Sequence, residues 1–130
     1  LRVTMDLGAN VTLTGGVALQ TQESWCEFIS KDLQSISFGG NAAELYFEED
    51  KFDDFLKKLA AIKGIFYVHP VQQYSWGQRV IRFYDPDFHI LEVGENMKSV
   101  CRRFLDSGMT IEAAAVRMNV PEKFVRACVR

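Results

Sequence analysis

The sequence predicts an α+β domain: one helix over one face of a largely antiparallel sheet, followed by a helical tail. Three observations lead there. Residues 43–94 read strand, helix, strand, strand, strand. The helical stretch between the first two strands has a single apolar stripe, so one sheet face is expected to be covered. After Asn96 the strand pattern stops, helical spacing takes over, and basic residues outnumber acidic ones.

At the N-terminal end, "NVTLTGGVALQ" is two short β-rich runs around Gly15-Gly16, the signature of a hairpin. In "ESWCEFISKDL", Trp25, Phe28 and Ile29 fall at i, i+3 and i+4, which predicts a short helix. "SFGGN" reads as a loop. "AELYFEE" alternates, with Leu45 and Phe47 on one face and Glu44, Tyr46 and Glu48 on the other.

"FDDFLKKLAAI" is the clearest helix, with Phe52, Phe55, Leu56 and Leu59 as its stripe; these, with Leu45 and Phe47, are expected to form one core. Asp50 or a neighbour is expected to cap the start, and Gly64 to stop it. "IFYVH" reads as a strand ended by Pro70. "RVIRFY" and "HILEV" read as strands joined through Asp85-Pro86-Asp87, with proline at a favoured turn position. In the tail, "MKSVCRRFLDSG" has helical spacing at Val100, Phe104 and Leu105 and stops at Gly108. "TIEAAAVRMN" runs from an N-cap, Thr110, to Asn119, and Pro121 sits in the first turn of the last helix.

The bulk numbers exclude several classes. A 130-residue chain holds one domain, or one domain with an appendage. Net charge is −2, so no global basic field draws the molecule to nucleic acid or membrane. No apolar run reaches the ~20 residues of a membrane span, and no signal peptide is expected. Cys26, Cys101 and Cys128 are far apart and form no Cys/His cluster, which argues against a zinc ribbon and for free, buried thiols in a reducing, cytoplasmic setting.

The stretch "WGQRVIRFYDPDFHILEVGE", with the "FDDFLKKL" helix before it, resembles the vicinal oxygen chelate superfamily: glyoxalase I, extradiol dioxygenases and bleomycin-resistance proteins. The likeness runs from about Glu44 to Glu95. Phe88 departs from it, since the family most often has glycine there. The resemblance implies two βαβββ units forming a cupped mixed sheet. Residues 1–96 would be the glyoxalase/bleomycin-resistance-like domain and residues 97–130 a helical extension. "LRVTMDLGANVTLTGGVALQ" would supply the second to fourth strands of the first unit. Its first strand and helix are expected upstream of Leu1, together with one metal-ligand position.

The resemblance also implicates site residues. "HILE" pairs with "VALQ", so Gln20 is the counterpart of Glu92, and Glu44 takes the place of a ligand histidine. Gln20, Glu44 and Glu92 would hold a divalent ion (Mn, Ni, Zn, Fe or Mg), with Glu92 and Glu44 also moving protons. The same carboxylates, read without the family, are solvated groups on an open sheet face. Tyr46, Tyr74 and Trp76 could line a ligand cup, although Trp76 equally suits plain packing. Arg79 and Arg82 fall on opposite faces, so one can enter the cup. Arg79 is taken as the substrate-binding one, suited to an anion. His69 could be a pocket acid or base, but a surface or loop histidine is preferred; His89 is read as a core one.

Three functions stay open: a metal-dependent lyase or isomerase acting on vicinal oxygens, a metal-free protein that binds a drug or metabolite, and a ligand-sensing regulator using the C-terminal helices. The last rests on a likeness of "SGMTIEAAAVRMNVPEKFVRACV" to a helix-turn-helix, with Arg117, Lys123, Arg126 and Arg130 as phosphate contacts. A packing or dimer-capping tail is preferred to nucleic-acid binding. The expected partners are a small molecule and a second copy of the chain.

Overall fold

The computed structural model describes residues 1–129; Arg130, one of the basic residues above, lies outside them. The chain divides into two compact units, Leu1–Phe38 and Gly39–Arg130. The first holds β1 (Val3–Asp6), β2 (Asn10–Leu13) and β3 (Ala18–Gln20), an antiparallel sheet in that order, then α1 (Gln22–Ile29) and a short 3-10 turn at Leu33–Ser35. Gly15 and Gly16, at φ 89° and 81°, turn β2 into β3. Thr21 caps α1 by accepting from the Ser24 N–H. Within this unit Cys26 is the buried apolar residue, while Val3, Met5, Leu19, Trp25 and Phe28 are exposed.

The second unit contains β4 (Glu44–Glu49), α2 (Phe52–Ala60), β5 (Tyr67–Gln73), β6 (Arg79–Tyr84) and β7 (Ile90–Glu95). The sheet order is β4-β7-β6-β5. β4 runs parallel to β7 and the other pairs are antiparallel, giving the α+β, mixed-sheet architecture that the sequence predicts. Phe52, Leu59, Ile81, Phe83 and Val93 form the core between α2 and the sheet, with Phe47, Phe55 and Leu56 packed against it. The strand parity and helical stripe therefore meet as expected, with one exception. Leu45 has the right parity but lies near the start of an outer strand and is 45% exposed.

Three local expectations need correction. Asp50 does not cap α2. Lys51 occupies the N-cap without a side-chain bond, and its N–H donates instead to Glu49 at 2.8 Å. Asp53 and Asp54 in the first turn and Lys57 and Lys58 in the last complement the helix dipole. Pro70 does not end β5; the strand continues to Gln73 with an irregular register between His69 and Gln72. β5 is an outer strand of this sheet, where a missing N–H costs least. His89 is not a core residue. It is exposed, and its Nδ1 lies 2.9 Å from Asp85 Oδ2. Asp85 also accepts the N–H groups of Asp87 and His89, which pins the β6–β7 turn. Phe88, the family departure, sits at φ 63°, the left-handed conformation that glycine adopts most readily. Its ring packs near Phe66 and Tyr84.

After β7 come α3 (Met97–Asp106), α4 (Ile111–Met118) and α5 (Glu122–Cys128), in the same compact unit as the second sheet. Asn96 and Thr110 cap α3 and α4 through their side chains, and Asn119 closes α4 at φ 54°. Pro121 is the N-cap of α5, one residue ahead of the first turn. The three helices share a core of Val100, Cys101, Phe104, Ala114, Ala115, Met118, Val125 and Cys128. All three cysteines are free and buried, and burial pushes the Cys101 thiol up to about 12. No helix among the described residues is long and apolar enough to cross a membrane.

Candidate functional site: five acceptors around one arginine

Sheet register decides which polar side chains meet. Glu92 on β7 stands opposite Arg82 on β6 and beside Tyr46 on β4, while His69 on β5 stands opposite Arg82. These residues occupy the face away from α2, because Ile81, Phe83 and Val93 point into the helix-covered core.

Arg82 is the centre of the group. Its Nε donates to Glu44 Oε2 at 2.7 Å and its Nη2 to Glu44 Oε1 at 3.4 Å. Nη2 also donates to Glu92 Oε2. Nη1 donates to the Tyr74 hydroxyl at 2.7 Å and lies 3.3 Å from His69 Nε2. A guanidinium has five N–H donors, and here five acceptor atoms surround it. His69 Nδ1 lies 2.7 Å from the Pro70 carbonyl, which can only accept. Nδ1 therefore bears the proton, and the Nε2 lone pair faces Arg82. His69 is thus a sheet residue of the site, not a loop histidine. It also borders an open apolar cleft of about 530 Å³ lined by Leu56, Tyr67, Pro70 and Ile81.

The two carboxylates differ. The hydrogen bond from Arg82 holds Glu44 below the usual carboxylate range. Burial, helped by the neighbouring Glu44 carboxyl, pushes Glu92 up despite Arg82.

Aromatic side chains line one end. The Tyr74 and Trp76 rings lie 4.5 Å apart, and Trp76 Nε1 donates to Gln78 Oε1 at 3.1 Å. Gln78 Nε2 donates to the Tyr46 hydroxyl and to the Glu95 carbonyl, both at 3.0 Å. The glycine at 94 makes room for this crossing: a Cβ there would lie 2.8 Å from Gln78 Nε2 and 3.1 Å from the Tyr46 ring. Sequence reasoning missed Gln78 and Gly94. The available signal was a glutamine directly before an apolar strand.

Arg79 is not part of this group. It lies on the helix side, bonded to Asp53 at 2.8 Å and to both Glu95 oxygens, with its guanidinium 5.2 Å from the Phe52 ring. Arg82, three positions on along β6 and of opposite parity, takes the place assigned to Arg79. Gln20 belongs to the first compact unit, where it accepts from Asn10 at 2.7 Å and donates to Ser24 at 2.6 Å.

Glu95 supports the structure from beneath, and a pH prediction follows from it. Burial opposes its ionisation, but the hydrogen bonds from Arg79 and Arg103 outweigh it and hold the carboxyl below its ordinary value of 4.5. A depressed carboxyl contributes stability that is complete above its unfolded value and lost as pH falls through the folded one. The urea midpoint of wild type should therefore drop on acidification below 4.5. Arg103→Gln should start lower at neutral pH and lose less in that window. Parallel curves for the two proteins would remove Glu95 as the cause.

A mixed α+β sheet with a polar open face and an apolar core under its helix is the class that this geometry defines. The chain belongs to the glyoxalase-like domain family, whose profile matches residues 1–98, ending at the start of α3. Its structure is similar to a protein of unknown function from Agrobacterium tumefaciens (35% identity, 73% of this chain and 74% of that one, TM-score 0.62). It is also similar in fold to a glyoxalase-related enzyme from Fulvimarina pelagi (16% identity, 74% and 70%, TM-score 0.58). A third similar fold is a glyoxalase/bleomycin resistance protein/dioxygenase from Nocardioides (19% identity, 72% and 65%, TM-score 0.54). No curated protein matches the chain at a significant level.

The family implies a divalent ion, and the donor set argues against one in this arrangement. Glu44 and Glu92 already share the Arg82 cation, which fills the space between them. Among the described residues no group of three His, Cys, Asp or Glu side chains is gathered for a metal. An ion would have to displace a guanidinium that makes five hydrogen bonds.

Proposed function

We propose that this glyoxalase-like protein binds a small molecule on the open face of its second sheet without a metal, in the manner of a drug- or metabolite-sequestering protein. One observation carries the reading: Arg82 has spent every donor on protein acceptors. What the face still offers a ligand is lone pairs on Glu44 and Glu92, with aromatic surface from Tyr46, Tyr74 and Trp76. Two carboxylates against one guanidinium favour a cationic or hydrogen-bond-donating ligand with an apolar part, rather than the anion that an unpaired arginine would select.

The names of similar proteins support the class, since one neighbour is a glyoxalase/bleomycin resistance protein/dioxygenase. Bleomycin, a cationic glycopeptide, is a suitable first probe. Calorimetric titration should show metal-free bleomycin, or another cationic drug of that size, binding wild type and failing to bind Glu92→Gln/Glu44→Gln. Titration with Mn²⁺, Ni²⁺ and Zn²⁺ should show no stoichiometric uptake. Tight uptake of an ion, lost in Glu92→Gln, would overturn this reading in favour of a metal-dependent lyase. A homodimer is part of the proposal, supported by the exposed Val3, Met5, Leu19, Trp25 and Phe28 of the first unit. Sedimentation showing only monomer at micromolar concentration would reject it.

A further inference from the structure

The turn between β5 and β6, residues 74–78, touches both the Arg82 site and the C-terminal helices. It is closed by Gly77 N–H to the Tyr74 carbonyl and Tyr74 N–H to the Gln78 carbonyl, each at 2.9 Å. On one side it delivers the Tyr74 hydroxyl to Arg82. On the other it lies on α3. Gly77 has φ 88°, and a Cβ there would lie 2.2 Å from Phe104 Cζ, so the turn backbone rests on the Phe104 ring. Arg103 Nη2 donates to the Gly77 carbonyl at 2.8 Å and also binds Glu95. Phe104 is buried in the core of the three helices, so its ring is held by α4 and α5 as well as by its own helix. Between the two ends, Trp76 packs on Tyr74 and is tied through Gln78 to Tyr46.

We propose that Phe104 and Arg103 are positioning residues for the candidate site, and that the C-terminal helices belong to it functionally. They hold the 74–78 turn at the height at which Tyr74 reaches Arg82. The glyoxalase-like match stops at residue 98, before both residues. Without α3 the turn would keep its two backbone bonds but lose its seat, and Tyr74 would no longer complete the acceptor set around the guanidinium. The ligand consequence rests on the reading above, whereas the positioning itself can be tested without any ligand.

The test follows the Arg82 Nε–H and the Trp76 indole N–H by NMR in full-length, ¹⁵N-labelled protein, with the Trp25 indole as reference. Tyr74→Phe marks how far the Arg82 signal moves when that bond is lost. Phe104→Leu should move the Arg82 and Trp76 signals in the direction of Tyr74→Phe, and Arg103→Met should do the same. Gly77→Ala lifts the turn from its own side and gives the same readout should Phe104→Leu fail to fold. In the ligand arm, Phe104→Leu should weaken bleomycin binding about tenfold, the loss that removing one hydrogen bond to a charged group produces. An Arg82 signal unmoved in folded Phe104→Leu or Gly77→Ala, with Tyr74→Phe moving it, overturns the proposal. A moved signal with no bleomycin binding even in wild type supports the positioning and defeats only the ligand reading.

Discussion

Arg82→Met should cost about 3 kcal/mol of folding stability, the loss expected when one partner of a largely buried ion pair is removed. The reason lies on the carboxylate side. Glu92 has a side chain only 7% exposed, and its charge is compensated by Arg82. Removing the guanidinium leaves that carboxylate in a low-dielectric setting beside Glu44, so it must protonate or admit water. The urea midpoint should fall, and fall most at neutral pH, where both carboxylates are ionised. Adding Glu92→Leu to Arg82→Met should recover much of the loss, because replacing both members of a buried pair by apolar groups is often near neutral. If Arg82→Met alone keeps the wild-type midpoint, the guanidinium is not what compensates Glu92, and the metal reading regains ground.

Phe52→Ala should cost about 4 kcal/mol, within the range for truncating a buried aromatic. Phe52 is 2% exposed, sits at the first position of α2, and packs on the sheet core with Leu59 and Phe83. It also lies under the Arg79 guanidinium, so its loss loosens the Arg79–Asp53–Glu95 bonds on that side. A double-mutant cycle with Arg79→Met should therefore show coupling, unlike a cycle of Phe52→Ala with Arg82→Met across the sheet. An equal coupling for both pairs would contradict the assignment of the two arginines to opposite faces.

Much of this fold was legible because it depends on short periods. The apolar stripe of α2 and the alternation of β4 determined that Phe47, Phe52 and Leu59 share a core, and local chemistry determined the caps at Thr110 and Asn119. Alternation also separated Arg79 from Arg82. Local chemistry erred where the chain had two acceptable solutions. Pro70 can end a strand or lie within an outer one, and the choice depends on where β5 sits in the sheet. His89 has core parity, but Asp85 draws it to the turn.

The sequence by itself determined the α+β class, the family, and the two strands that bear Glu44 and Glu92. Only the tertiary structure decided what those carboxylates bind. The parallel pairing of β4 with β7, and the opposition of β6 to β7, bring together residues 38 and 10 positions apart in the chain. No periodicity within a segment encodes that register, which is set by the packing of α2 against the sheet as a whole. The same holds for Phe104 and Gly77: their contact exists because α3 folds back on the β5–β6 turn. A side chain's alternation reveals its face, but its partner is fixed by strand order and register, and here that partner is an arginine.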